Sequence, residues 1–307
     1  MLIFWILFNL FALGLLLLDL RVIHRPGRVV TLRESLRWSA VYVAITAVFA
    51  AILYFWQGPQ TALEFATGYV LELSLSVDNL FVFMVIFNFF VVPEELQHRV
   101  LFWGVLGAIL MRGLFILAGV SLIYRFHWIL FIFGGLLIYS GIRLMVTGEH
   151  KIDPAHNPLV NALRRFLPVT SEYRGGRFFV RGQQGALCAT PLLVVLLVVE
   201  TTDILFAVDS IPAVLAITLN AFIVYTSNVL AIIGLRSLYY AVSGLIKLFR
   251  FLHYGLAIVL VLVGIKMLAS DYVHVPITAT LGTVAVVLLI SIVTSIAIPE
   301  KKTQDPG

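Results

Sequence analysis

The chain has 307 residues, of which 61% are hydrophobic and only 12% charged, where a soluble protein of this size carries about 25% charged residues. That composition, with a mean hydropathy of +1.03, excludes an ordinary soluble enzyme and indicates a polytopic membrane protein. A single cysteine, Cys188, excludes an internal disulfide framework and a cysteine-built metal site. The net charge of +5 comes from short loops beside apolar spans, so it speaks of orientation in a bilayer and not of nucleic acid.

Apolar spans of about 20 residues fall in chain order at 1–20, 38–56, 63–90, 100–122, 127–147, 187–216, 219–241, 254–270 and 277–298. The first has the length of a signal peptide but lacks a basic start and a small-residue cleavage site, and Arg21, Arg25 and Arg28 follow it. It therefore reads as an uncleaved helix with its N-terminus outside. The loops at 21–37, 91–99, 148–186 and 242–253 and the tail 299–307 then fall on the cytoplasmic side and hold 16 Lys and Arg, against Arg125 alone on the other side. This bias supports about nine transmembrane helices and a cytoplasmic C-terminus. Loop 148–186 mixes Pro154, Pro158, Pro168, Gly175, Gly176 and Gly182 with five arginines and a lysine. That predicts a solvated, partly disordered linker, with regulation or lipid head-group contact as the alternative.

An internal repeat flanks the loop. Glu72 and Asp78 are six residues apart, as are Asp203 and Asp209, and Ser76-Val77-Asp78-Asn79 aligns with Ala207-Val208-Asp209-Ser210. The next span in each half carries Arg112 or Arg236 at the same place, and the third carries Gly141-Ile142-Arg143 or Gly264-Ile265-Lys266. Three spans match three in order, so the expected architecture is a single transmembrane domain over 1–307. Within it, repeat 1 covers 63–147 and repeat 2 covers 187–270, in a 3+3 inverted arrangement of helices 3–5 and 6–8. Inverted repeats with a midplane site at their interface are a transporter signature.

Glu72, Asp78, Glu200, Asp203 and Asp209 are five carboxylates at membrane depth, with Asn79 and Ser210 beside two of them. Each ionisable group costs about 2.5–3.5 kcal/mol to insert, so such residues are functional by default. An all-oxygen set suits a hard divalent ion, Mn²⁺, Mg²⁺ or Ca²⁺, and these remain equal candidates on the residues alone. Glu200 and Asp203 share a helix face. Asp203 and Asp209 sit about 120° out of phase and about 9 Å apart along the axis, so one straight helix cannot aim both at one ion. Either the helix is interrupted, or each acid meets a different element of the opposite repeat. Pro212 favours a break or kink near Asp209, because it frees the carbonyl of Val208. Arg112 and Arg236, in mid-span, must each reach a carboxylate or an aqueous cavity. Either could act as a gate by taking over a carboxylate when the ion leaves. Asn9, Asn88 and Asn228 are expected to make interhelical hydrogen bonds.

The runs Glu72-Leu73-Ser74-Leu75-Ser76-Val77-Asp78-Asn79, Phe178-Phe179-Val180-Arg181, Ala189-Thr190-Pro191-Leu192 and Glu200 through Ala213 resemble the TerC family, in its Alx branch. The likeness continues through Leu235-Arg236-Ser237-Leu238-Tyr239 and Gly264-Ile265-Lys266-Met267-Leu268 and covers nearly the whole chain. The resemblance implies a multi-pass protein of the bacterial inner membrane that exports Mn²⁺, in a family associated with tellurite resistance. It implies that the five acids are needed for transport.

The leading expectation is thus a manganese exporter working by alternating access with protons as counter-ion, without organic cofactor or enzymatic activity. Its partners are the lipid bilayer and the divalent cation. An intramembrane aspartyl protease would need two facing aspartates, but neither Asp78 nor Asp209 follows a Gly-x-Gly pattern. The alternative is a membrane factor that assists folding or metal supply of other membrane or exported proteins.

Overall fold

A computed structural model describes residues 2–22, 31–147, 167–181, 186–245, 251–273 and 275–297. The tail 299–307, Arg21's side chain, Arg25, Arg28 and most of the first half of loop 148–186 lie outside the described residues. The chain is an all-α polytopic membrane protein. Its described helices are α1 (Leu2–Val22), α2 (Leu32–Gln57), α3 (Pro59–Phe89), α4 (Glu94–Arg125), α5 (Ile129–Thr147), α6 (Pro191–Leu215), α7 (Ala221–Leu245), α8 (Leu252–Leu268) and α9 (Ile277–Ala297). All but α8 are long and apolar enough to cross a membrane.

Helices α2 and α4 begin before their apolar spans, with Glu34 and with Glu94 and Glu95 in their first turns, where acids complement the helix dipole. Helix α2 starts at an N-cap in which the Thr31 side chain accepts from the Glu34 N–H at 3.4 Å. Gly58, at φ 94°, makes the sharp reversal into α3 that a residue with a Cβ would resist, and Pro59 follows at the first helical position.

Helix α3 lies mainly against α7, and α4 against α6. Helices α5 and α8 approach until their backbones touch. A Cβ on Gly141 would sit 2.7 Å from the Ala257 carbonyl oxygen, and one on Gly264 would sit 2.8 Å from that of Gly134. Small residues at such crossings replace the hydrophobic drive that helices lack in lipid.

Two expectations are corrected. The second half of loop 148–186 is folded: β1 (Phe179–Arg181) pairs antiparallel with β2 (Leu187–Ala189). The strands form because Phe178 to Arg181 and Leu187 to Ala189 are short apolar runs whose backbone groups can pair with each other. The segment is then pinned to the α3–α4 turn, where the Tyr173 hydroxyl donates to the Phe90 carbonyl at 2.8 Å and Arg99 Nη1 to that of Gly176 at 2.9 Å. Burial pushes the Tyr173 hydroxyl up to about 12, which keeps it a donor.

The expected break near Asp209 is also absent. Helix α6 runs without interruption from Pro191 to Leu215, with Pro212 inside it. Pro212 stands three residues from the helix end, so the one backbone bond it removes lies in the last turns.

Candidate ion site

Arg112 is the centre of the acidic cluster. It lies mid-way along α4 and is 1% exposed, a depth at which an unpaired guanidinium is very costly. It is fully engaged. Nε and Nη2 donate to the two oxygens of Asp203 at 3.2 and 3.0 Å, the fork-on-fork geometry that makes arginine–carboxylate pairs strong. Nη1 is paired with Glu72 and faces Ser210 Oγ at 3.2 Å and Asn228 Oδ1 at 3.0 Å. Ser76 Oγ donates to the same Glu72 oxygen at 3.2 Å. The other, Glu72 Oε2, is buried and meets no donor among the described residues. One guanidinium thus holds an acid from α3 and an acid from α6, two charges against one.

The remaining acids stand around this centre at separate stations. Glu200 is half-buried, and its carboxylate rests on Gly107 of α4, where any Cβ would overlap it. Asp209, also half-buried, accepts from Ser140 Oγ on α5 at 2.6 Å. Asp78 is half-buried on α3, six residues beyond Glu72, and its neighbour Asn79 is buried. Among the described residues no three acids, histidines or cysteines converge closely enough to hold one ion. Of the two geometries open to α6, the second is the one adopted: Asp203 meets α4 and Asp209 meets α5. A cation could draw Glu72 and Asp203 together only by displacing the Arg112 guanidinium, so ion and arginine are alternatives for the same oxygens.

Arg236 does not join the five acids. It is 0% exposed and forms an ion pair with Asp19 of α1, itself 1% exposed. Asp19 and Ser140 escaped the sequence reading. Asp19 looks like an interfacial residue before a basic run, and Ser140 is one hydroxyl in an apolar helix. An acid flanked by Leu18 and Leu20 was the available signal. Asn9 and Asn228 make the expected interhelical bonds, Asn9 by accepting from the Tyr225 hydroxyl at 2.7 Å. Asn88 instead lies exposed at the end of α3, too near the helix terminus to face a neighbour.

The family model described as "Integral membrane protein TerC family" matches residues 57–303. A protein of Myxococcus xanthus, "Uncharacterized membrane protein STKORF319", is 46% identical over 292 residues, covering 95% of this chain and 91% of that protein. "Putative membrane-bound redox modulator Alx" of Salmonella typhi is 42% identical, covering 94% of this chain and 92% of the relative. The protein of the same name in Escherichia coli K12 is 43% identical, covering 91% and 89%. No solved structure matches the chain.

Proposed function

The chain belongs to the TerC family of integral membrane proteins, and from that premise we propose that it is a transporter that exports divalent manganese across the bacterial inner membrane. One observation carries the reading: the Arg112 guanidinium joins Glu72 of α3 to Asp203 of α6, while Asp78, Glu200 and Asp209 stand half-buried on the same two helices. Of the two buried arginines, Arg112 meets Glu72 and Asp203, whereas Arg236 is held by Asp19. An excess of hard oxygen ligands at membrane depth favours Mn²⁺ or its analogues Mg²⁺ and Ca²⁺.

The transport cycle alternates the occupant of the central acids. With no ion present, Arg112 neutralises Glu72 and Asp203. An arriving cation displaces the guanidinium, and its departure to the other side lets the arginine return. Protons serve as counter-ion because crowded carboxylates in a low dielectric favour their neutral form. The mutual packing of α3 on α7, α4 on α6 and α5 on α8 supports alternating access by two inverted three-helix units, with the basic loops in the cytoplasm.

A second reading, a factor that assists folding or metal supply of other membrane or exported proteins, draws on the β1–β2 hairpin, where Phe179 and Leu187 are 47% and 52% exposed. The name of the Alx relatives speaks of redox modulation. One cysteine leaves this chain without a thiol pair for internal disulfide exchange.

The test is Mn²⁺ uptake into inverted vesicles containing the protein. Uptake is expected to exceed that of empty vesicles and to be lost when Asp78→Asn and Asp209→Asn are combined. Uptake unchanged in that double variant would sink the site. No uptake by the native protein, with a stable partner co-purifying on the hairpin, would favour the second reading.

A further inference from the structure

The two buried arginines occupy matching places in their halves of the chain, yet they are served very differently. Arg112 directs its N–H groups to Glu72, Asp203, Ser210 and Asn228. Among the described residues Arg236 has one ionic partner, Asp19, and the ring of Phe102, whose centroid lies 5.4 Å from its Cζ. Its Nε and Nη2 meet no hydrogen-bond acceptor among the described residues, and neither Ser39 Oγ nor Ser237 Oγ has a partner there. Tyr42 places its hydroxyl beside the Asp19 carboxylate.

Buried N–H and O–H groups without partners are rare in folded proteins, and each one calls for a reason. Unmet N–H groups on one buried guanidinium describe a site that water can complete, because water supplies the missing acceptors, or a pair that is not held in this arrangement throughout its working cycle.

The location favours a working role. Asp19 is three residues from the end of α1, Tyr42 is in the third turn of α2, Phe102 is in the third turn of α4, and Arg236 is nine residues before the end of α7. All four belong to one end of the bundle. On α7, Arg236 follows Asn228, a partner of Arg112, by eight residues, or about 12 Å along the axis. A second ionic layer therefore lies between the Arg112 site and that end. It is built partly from α1 and α2, which precede residue 57, where the match to the family model begins.

We propose that Asp19 and Arg236, with Tyr42 beside the acid, form an ionic gate that closes this end of the bundle over the Arg112 site and opens when a divalent cation binds there. The gate takes its purpose from the transport reading, but its opening can be measured without any flux. Parting the pair requires only a shift of α1 against α7, the two helices that carry Asp19 and Arg236.

The single cysteine makes a direct test possible. In a chain carrying Cys188→Ser, which has no thiol, Ser237→Cys places one thiol at the gate. A membrane-impermeant, water-soluble thiol reagent is then applied to the full-length protein in vesicles, with and without Mn²⁺. The expected result is slow labelling without metal and a severalfold faster rate with it. Asp19→Asn is expected to raise the metal-free rate by about tenfold, the factor that follows from losing one charge-assisted hydrogen bond. Should Asp19→Asn alone fail to fold, combining it with Arg236→Gln removes both charges and is expected to give the same fast rate. A thiol at position 237 that stays unlabelled in every variant and condition would overturn the gate and leave a dry, static lock. A labelling rate indifferent to both Mn²⁺ and the loss of Asp19 would overturn it equally. Metal-dependent labelling in vesicles that take up no Mn²⁺ would uphold the gate and count against transport.

Discussion

Arg112 and Arg236 are the same residue at the same place in two similar stretches of sequence, and tertiary structure has made them opposites. Arg112 is shared between two three-helix stretches and saturated with acceptors from α3, α6 and α7. Arg236 is given to an acid from α1, a helix outside both stretches, and is left with unmet N–H groups. The two cations stand at matching positions in the sequence, but the acids of α3 and α6 are claimed by only one of them. The other must be neutralised from elsewhere.

The sharpest test of that contrast is loss of each arginine. Arg112→Gln leaves Glu72 and Asp203 facing each other in the core and should destabilise the protein by about 3–5 kcal/mol, the cost of breaking a buried pair. A thermal melt in detergent reads this, and added Mn²⁺ should recover part of it by replacing the lost charge. Arg236→Gln should cost less, and adding Asp19→Asn should restore most of the loss. Equal losses for the two arginines, neither relieved by Mn²⁺, would erase the distinction between an ion site and a pair held by α1.

Gly107→Ala tests whether the Glu200 station is built to hold that carboxylate. The new Cβ forces the side chain off α4, an overpacking cost of about 1–3 kcal/mol, and Mn²⁺ affinity measured by titration calorimetry should fall about tenfold, the factor that 1.4 kcal/mol brings. In a Glu200→Gln background the same change should have little further effect on affinity. Ser140→Ala removes the 2.6 Å bond to Asp209 and should cost about 1.5 kcal/mol, seen as weaker Mn²⁺ binding if Asp209 must be held in place to serve the ion.

The smallest effect is expected far from both arginines. Tyr173→Phe deletes the bond to the Phe90 carbonyl and should loosen the hairpin segment by about 1 kcal/mol, read as faster protease nicking within 167–181. Burial raises the Tyr173 hydroxyl to about 12, so the bond's contribution is fully present below the ordinary tyrosine value near 10 and fades only as pH rises through about 12. Nicking should therefore be constant from pH 7 to 10.

Much of the site could be read along the chain, because burying a charge in hydrocarbon is expensive wherever it occurs. Glu72, Asp203 and Arg112 stood out for that reason, and a carboxylate partner for each arginine followed from the same cost. What the chain did not disclose was which carboxylate. Arg112 spans from α3 to α6 over separations of 40 and 91 residues, and Asp19 lies more than 200 residues before Arg236. The unbroken course of α6 past Pro212 and the folded hairpin in a loop rich in Gly, Pro and Arg were missed for a related reason. Composition gives a local preference, whereas the packing of neighbours decides whether it is overridden.

The sequence by itself determined that this chain crosses a membrane many times and carries acids and arginines at depth, since hydropathy and the cost of intramembrane charge are properties of each residue and its immediate neighbours. Only the tertiary structure decided the partners. Whether a guanidinium meets Glu72 and Asp203 or Asp19 depends on the rotation and crossing of whole helices to within about an ångström, the tolerance of a hydrogen bond. Close approaches between the helices concerned, such as Gly68 against Ser227 and Gly104 against Val199, join residues more than 90 positions apart.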